Sequence, residues 1–341
     1  MGNQKMQGPV ISVIIPVYSV APYVRESLDS VINQTYHSLE ILVIEDGSTD
    51  ESGAICDEYA SFDPRITVIH QPHHNVSVAR NTALDLATGD YIAFLDPDDA
   101  WHPSFAQTML DTILRENSDI VVCNYKTYHT TEKLGQWEQG VLYPLISPGL
   151  YNRTQALHGL LDRRMGPVIW NKIYKRELWN DVRFPADLYA GTDYVGLFQV
   201  FFNCHSVYVI DRPLYMYRKH PGSLTAVYST RILSSRILGR LYISDFLRAH
   251  SPQIFSKQQI RNYDKTALTT TMLNYTRCYE KEGSEYLKQL ITDMADKIGI
   301  ANCGLKTRIM YFMMRHSPGL LKCVYPAYLQ IRLFVKKITG K

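Results

Sequence analysis

No stretch of this 341-residue chain reaches the ~18 consecutive apolar residues that a membrane-spanning helix requires. The start, Met1-Gly2-Asn3-Gln4-Lys5, has no apolar signal core, so the expected location is the cytoplasm. Met6 stands where a myristoylation signal after Gly2 has Ser or Thr, so no such anchor is expected. The six cysteines show no metal-ligand spacing and read as reduced core or interface residues. No Gly-x-Gly-x-x-Gly follows the first apolar run, and no Gly-x-x-x-x-Gly-Lys-Ser/Thr occurs anywhere. Both the dinucleotide fingerprint and the P-loop are thereby excluded. Internal repeats, low-complexity segments and nucleic-acid-binding modules are also lacking, so no nucleic-acid partner is expected. One region lacks acid altogether. Residues 301–341 hold eight Lys or Arg and no Asp or Glu, which leaves residues 1–300 at −5 in a chain of net charge +3.

What the first hundred residues do have is alternation. Residues 10–18, 39–44, 66–69 and 91–95 are short apolar runs rich in Val and Ile, too short for typical helices. Between them, residues 22–34 and 76–87 carry apolar positions at helical spacing. Ser48 and Glu51 have the spacing of a capping box opening a helix through Tyr59, and Gly89 suits the position just past the end of the third helix. Alternating strands and helices predict parallel βαβ units with right-handed crossovers. Two of the strands run out into acid, at Glu45-Asp46 and at Asp96-Pro97-Asp98-Asp99.

Clustered carboxylates repel one another, and a hard divalent cation resolves that conflict while bridging to substrate phosphates. The carboxyl ends of strands in an open α/β sheet are also where ligands bind. The residues alone therefore point to a metal-bound nucleotide diphosphate, against the alternative of a solvated acidic turn before the helix near Pro103.

Taken in order, Val13-Ile14-Ile15-Pro16-Val17-Tyr18, Ser30–Tyr36, Glu45–Asp50, Ala79-Arg80-Asn81 and Asp96–Asp99 resemble the successive blocks of family 2 glycosyltransferases. The resemblance covers about residues 10–105. It implies a GT-A fold (α/β, Rossmann-like, a mostly parallel sheet flanked by helices), a UDP-sugar donor, Mn2+ or Mg2+, and an inverting mechanism. By the same resemblance Asp46 bonds the uracil ring, Asp96 lies near the ribose and Asp98 ligates the metal. Pro16, Tyr18 and Arg80 belong to the nucleotide side. Four departures from the family pattern stand out: Glu45 for Asp, His74-Asn75 for Gly-Gly, Pro97 for Ser, and Thr192 for Glu.

The resemblance continues beyond residue 106. Trp170-Asn171-Lys172-Ile173-Tyr174 looks like the family's Trp-x-Lys-x-Tyr block, which implies Lys172 on the donor side and allows Trp170 either to stack on a sugar or to fill the core. Gly191-Thr192-Asp193 matches the block that carries the catalytic base, here Asp193, a residue that could equally cap the helix behind it. Pro213–His220 resembles the closing strand and basic loop, with Arg218 toward the diphosphate and His220 as a metal ligand. Inversion by single displacement needs no Ser or Cys nucleophile.

The expected organisation is a catalytic domain over 1–228, divided into a nucleotide half (10–105) and an acceptor half (106–228), then a helical region over 229–341. In the basic tail, cations interleave with aromatic and aliphatic residues, which predicts binding to an anionic membrane surface and, by family analogy, a lipid-linked saccharide acceptor. The missing Gln-x-x-Arg-Trp block argues against a membrane-embedded synthase. Competing readings are a binding protein that has lost catalysis, suggested by Thr192, and a sugar-nucleotide pyrophosphorylase, which would need a Gly-rich basic loop after the first strand.

Overall fold

The computed structural model describes residues 8–129, 141–142, 146–220, 223 and 229–324. The chain divides into two compact units, Met1–Ser223 and Leu224–Lys341, the break falling a few residues before the expected position 228.

In the first unit, β1 (Ile11–Val17), α1 (Ala21–Ile32), β2 (Leu39–Glu45), α2 (Ser52–Phe62), β3 (Ile66–His70), α3 (Val76–Leu86) and β4 (Tyr91–Phe94) follow one another as the alternation predicts. Next come β5 (Ala100–Trp101), α4 (Phe105–Arg115), β6 (Ile120–His129), β7 (Val141–Leu142), β8 (Gly149–Asn152) and α5 (Arg153–Leu161). β9 (Lys172–Lys175), α6 (Thr192–Asn203) and β10 (Ser206–Lys219) close the unit. The strands make one mixed, mostly parallel sheet in the order β3-β2-β1-β4-β9-β6-β10-β5, with β7 beside β6 and β8 beside β10. β1 is parallel to both β2 and β4, and β6 is parallel to β10. β9 runs antiparallel to both of its neighbours and joins the two parallel halves.

Every residue of β1 is buried, as expected of a strand covered on both faces. Pro16 fits there for a specific reason. The Ile14 carbonyl accepts from Leu95 N at 3.0 Å, so by alternation the backbone of Pro16 faces the same side, beyond the end of β4 at Phe94. No ladder partner is lost there. Ser12, also buried, donates to Glu40 and accepts from Gly89 N at 2.9 Å.

Two local expectations need correction. Ser48 and Glu51 form no capping box, because Glu51 is itself the residue before α2 and its side chain makes no cap bond. Asp50 takes the role instead, its carboxylate accepting from Ser52 N and Ala21 N, both at 3.0 Å, which ties the starts of α1 and α2 together. Gly89 does not terminate α3 with a left-handed turn; Ala87, in extended conformation, ends the helix. Close packing accounts for the glycine, since a Cβ would lie 2.6 Å from Ser12 Oγ and 2.8 Å from the Val10 carbonyl.

The second unit is helical among its described residues: α7 (Thr230–Ala249), α8 (Lys257–Tyr275), α9 (Ser284–Ile298) and α10 (Leu305–His316). Leu233, Ile237, Leu268, Met272, Leu287, Ile291, Met310 and Met314 share its core. Ser229 and Ser256 cap α7 and α8 through backbone N–H groups. Of the basic tail, residues 325–341 lie outside the described residues, as do residues 130–140 and 143–145. No helix among the described residues is long and apolar enough to cross a membrane.

Candidate functional site

The carboxyl ends of β1, β2 and β4 open on one side of the sheet. At the end of β2, Asp46 is tied to β1 by its backbone N–H, which donates to the Val17 carbonyl at 2.8 Å. Its buried carboxylate is met by the segment after β3. Gln71 Nε2 donates to Oδ1 at 2.6 Å, His74 N lies 3.2 Å from both oxygens, and His73 Nδ1 lies 3.0 Å from Oδ2. The His73 ring stacks on Tyr18, with centroids 3.8 Å apart and planes 17° from parallel. The sequence thus brings Pro16, Tyr18 and Asp46 to one corner. It does not signal Gln71 and His73, which reach Asp46 only through the pairing of β2 with β3.

At the end of β4 the acids diverge. Asp96 faces Arg80, whose Nη2 donates to Asp96 Oδ1 at 3.0 Å while Nη1 donates to Asp193 Oδ1 at 2.7 Å. One buried guanidinium therefore joins the carboxylate expected beside the ribose to the carboxylate expected to act as base. Burial works against the charge on Arg80, but Asp193 and Asp96 outweigh it and raise its pKa. Burial also lifts Asp96 above the ordinary carboxylate range, with Asp193 and Asp98 adding to the shift against the pull of Arg80. Asp98 faces His220, Nε2 lying 2.8 Å from Oδ2. Asp99 points the other way. It is fully buried, accepts from the Tyr215 hydroxyl and from Arg218 N, each at 2.7 Å, and anchors β10 beneath the loop. Burial, with Asp98 and Asp96 adding, pushes its pKa well up.

Asp193 is delivered by a clamp that local sequence does not announce. Gly191, at φ +81°, starts α6 from the left-handed region, and Asp193 falls in the first turn, so Gly191 and not Asp193 is the cap residue. The segment leading to it is held on α3 by two asparagines. Asn81 donates to the Phe184 carbonyl at 2.9 Å and accepts from Phe184 N at 2.8 Å. Asn75 caps α3 through Ser77 N and Val78 N, and its amide donates to the Ala186 carbonyl at 2.8 Å. Asn75 at the start of a periodic run is a readable cap signal; the partners of Asn81 and Asn75, a hundred residues or so away, are not readable. Thr192, which replaces the family's Glu, is buried.

Two expectations change, for Lys172 and Arg218, and the alternatives left open for Trp170 are decided. Lys172 does not face the donor side: it is fully buried, and its ammonium donates to the Gly166 and Val168 carbonyls and to Asn171 Oδ1 at 2.6–2.9 Å. Burial pushes its pKa down to about 7. Trp170 is a core residue, stacked on Tyr215 at 4.0 Å with edge contact to Tyr125 at 4.7 Å. Arg218 lies behind the loop that carries Asp98. Its Nε donates to the Asp98 carbonyl at 2.7 Å, Nη2 pairs with Glu26, and the guanidinium sits between the rings of Tyr23 and Tyr128. It braces that loop through Nε and is tied to α1 through Glu26.

A divalent cation fits these residues on chemical grounds. Among the described residues no cluster of three or more His, Cys, Asp or Glu forms a preformed cage. Asp98 and His220 supply one carboxylate and one imidazole side by side, the sparse donor set expected for a cation that arrives with substrate phosphates.

Residues 12–186 match the family model described as glycosyl transferase family 2. The putative glycosyltransferase EpsH of Bacillus subtilis is 32% identical over 235 residues, 67% of this chain and 67% of that protein. The glycosyltransferase GlyA of Streptococcus pneumoniae is 34% identical over 226 residues, 65% of this chain but 32% of GlyA, so the match spans about a third of that relative's length. Among solved structures, S. aureus TarS 1–349 in complex with UDP-GlcNAc aligns with a TM-score of 0.58 at 19% identity, over 85% of this chain and 90% of TarS. The mannosyltransferase PcManGT from Pyrobaculum calidifontis, in complex with GDP-Man and Mn2+, aligns at 0.50 and 17% identity, over 98% of this chain and 88% of that one. At such identities the likeness is one of fold.

Proposed function

Because this chain belongs to glycosyltransferase family 2, we propose that it transfers a sugar from a UDP-sugar to a hydroxyl of a lipid-linked saccharide, with inversion and with Asp193 as the base. The observation that carries this reading is Arg80, which holds Asp193 and Asp96 together at the sheet edge. A donor lying against Asp46 and Asp96 would thus present its sugar toward Asp193. Arg80 bonds Asp193 Oδ1, so Oδ2 is the oxygen offered to an acceptor hydroxyl. That oxygen takes the proton as the hydroxyl attacks in line with the departing diphosphate. Asp46 and Tyr18 would orient the uracil, one by hydrogen bonding and the other by stacking. Asp98 and His220 would hold Mn2+ or Mg2+, which, when bound, offsets the charge of the leaving diphosphate.

The acceptor reading rests on the second unit. On α10, Leu305, Ile309 and Phe312 are exposed on the face opposite the buried Thr307, Met310 and Met314, and Arg308 and Arg315 flank that stripe on one side. An outward apolar stripe with flanking cations and no acid suits a helix lying in an anionic leaflet. We place the protein at the inner face of the membrane on that basis. Flotation with phosphatidylglycerol but not phosphatidylcholine vesicles is the expected result.

The catalytic reading is tested by UDP release from a panel of UDP-sugars with Mn2+, compared between wild type, Asp98→Ala and Asp193→Asn. Turnover in the wild type that both substitutions remove is expected. Donor binding without turnover, unchanged in Asp193→Asn, would favour instead a binding protein that has lost catalysis.

A further inference from the structure

His73 is the one group at the Asp46 corner that can leave without disturbing the fold. Gln71 is pinned from its other end, where Thr82 Oγ1 donates to Gln71 Oε1 at 3.0 Å. His74 contributes its backbone N–H. The His73 backbone is fixed against Gly47, which stands at φ +72° and where a Cβ would come within 2.7 Å of His73 N. Its side chain, by contrast, is 40% exposed. The ring lies flat on Tyr18 and turns one nitrogen to Asp46 Oδ2. A flat heteroaromatic ring, stacked on an aromatic slab and bonded through a ring nitrogen to a carboxylate, reproduces the contacts a pyrimidine base would make with the same two residues.

We propose that His73 is a self-ligand of the base pocket: in the free protein its imidazole holds the Tyr18 face and the Asp46 oxygen that the donor's base takes on binding, and it swings out when the nucleotide enters. This rests on the assignment of Asp46 and Tyr18 to the base. The position is a specificity device, because a nucleotide must displace His73, and only a base that stacks on Tyr18 and offers an N–H to Asp46 repays the lost contacts. The apparent affinity is then the intrinsic affinity reduced by the fraction of molecules with the ring swung out.

Calorimetric titration of the full chain with UDP and with inorganic pyrophosphate, both with Mg2+, tests the proposal in wild type, His73→Ala, Asp46→Ala and the double variant. His73→Ala should tighten UDP binding by roughly 5-fold, the net scale of one typical intramolecular hydrogen bond, and leave pyrophosphate unchanged. In the Asp46→Ala background the gain should shrink, because the carboxylate bond to the ring is gone and only the contact of His73 Nδ1 with the backbone carbonyl of residue 46, at 3.1 Å, is left. Weakened UDP binding in His73→Ala would make His73 a partner of the bound base and overturn the proposal, as would unchanged binding or an equal gain for pyrophosphate. If Asp46→Ala leaves UDP binding intact, the base assignment itself fails. If Asp46→Ala weakens UDP while His73→Ala does not tighten it, only the self-ligand proposal fails.

Discussion

The two acidic strand ends are built in opposite ways. At the end of β2 the carboxylate of Asp46 is surrounded by an amide, a backbone N–H and an imidazole. At the end of β4 the acids meet fixed positive charge, with Arg80 between Asp96 and Asp193 and Arg218 behind Asp98 and Asp99. Hydrogen-bond partners without a fixed charge suit a site that must tell one uncharged ring from another. Arginines suit a site that must gather several carboxylates against burial and their mutual repulsion. On the proposed function, the same sheet edge carries a reading end and a reacting end.

Substitutions should separate the two ends. The largest effect is expected from Asp193→Asn, which removes the base but keeps its shape: kcat should fall by about 10²–10⁴-fold with UDP affinity unchanged, measured by UDP release and calorimetry. Arg80→Met leaves Asp96 and Asp193 without a shared partner, so unfolding free energy should fall by about 3–5 kcal/mol in urea titrations. The comparison sharpens at Lys172, a buried cation that serves neither end. Lys172→Met should leave UDP affinity intact and destabilise by roughly 1–3 kcal/mol, because three acceptors lose their donor. The pH dependence has a definite sign. Between about 7 and the ordinary 10.5, the unfolded chain binds a proton that folded Lys172 has lost. Wild-type stability should therefore rise with pH across that window, and its margin over Lys172→Met should widen. A smaller, cleaner contrast is expected with chelators. Asp46→Ala should weaken UDP about tenfold and stay chelator-sensitive, whereas Asp98→Ala should lose chelator sensitivity.

The parts of this design legible in the sequence are those encoded locally. Apolar runs four to nine residues long, two of them ending in acid and all separated by helical periodicity, locate β1 through β4 and the edge they share. Asp96 and Asp98 stand out because acid follows a buried strand without a break. Long-range pairing hides the rest. Asp99 looks like its neighbours and faces the core, a difference set by Tyr215 and the backbone of Arg218. Lys172 sits in a block that resembles a donor site, yet its ammonium closes the chain on itself. Ser48 and Glu51 have the spacing of a cap, but the start of α1 recruits Asp50 first. Resemblance locates Asp193 by block order; the asparagine clamp from α3 shows how the fold delivers it.

One strand carries a consequence in time as well as space. Ile173 of β9 pairs with Ala93 on one side and with Val121 on the other. β4 and β6 are both synthesised earlier and have no direct pairing with each other in the sheet order. The two halves cannot zip together as they emerge; they must wait for a later, four-residue strand to slot between them. Pairings so distant along the chain close slowly, because loop entropy is lost before contacts repay it. Asp193 lies further along still, so on the growing chain the acidic edge exists before the carboxylate proposed as its base does. Folding rate, more than final stability, should be the quantity most sensitive to changes in β9.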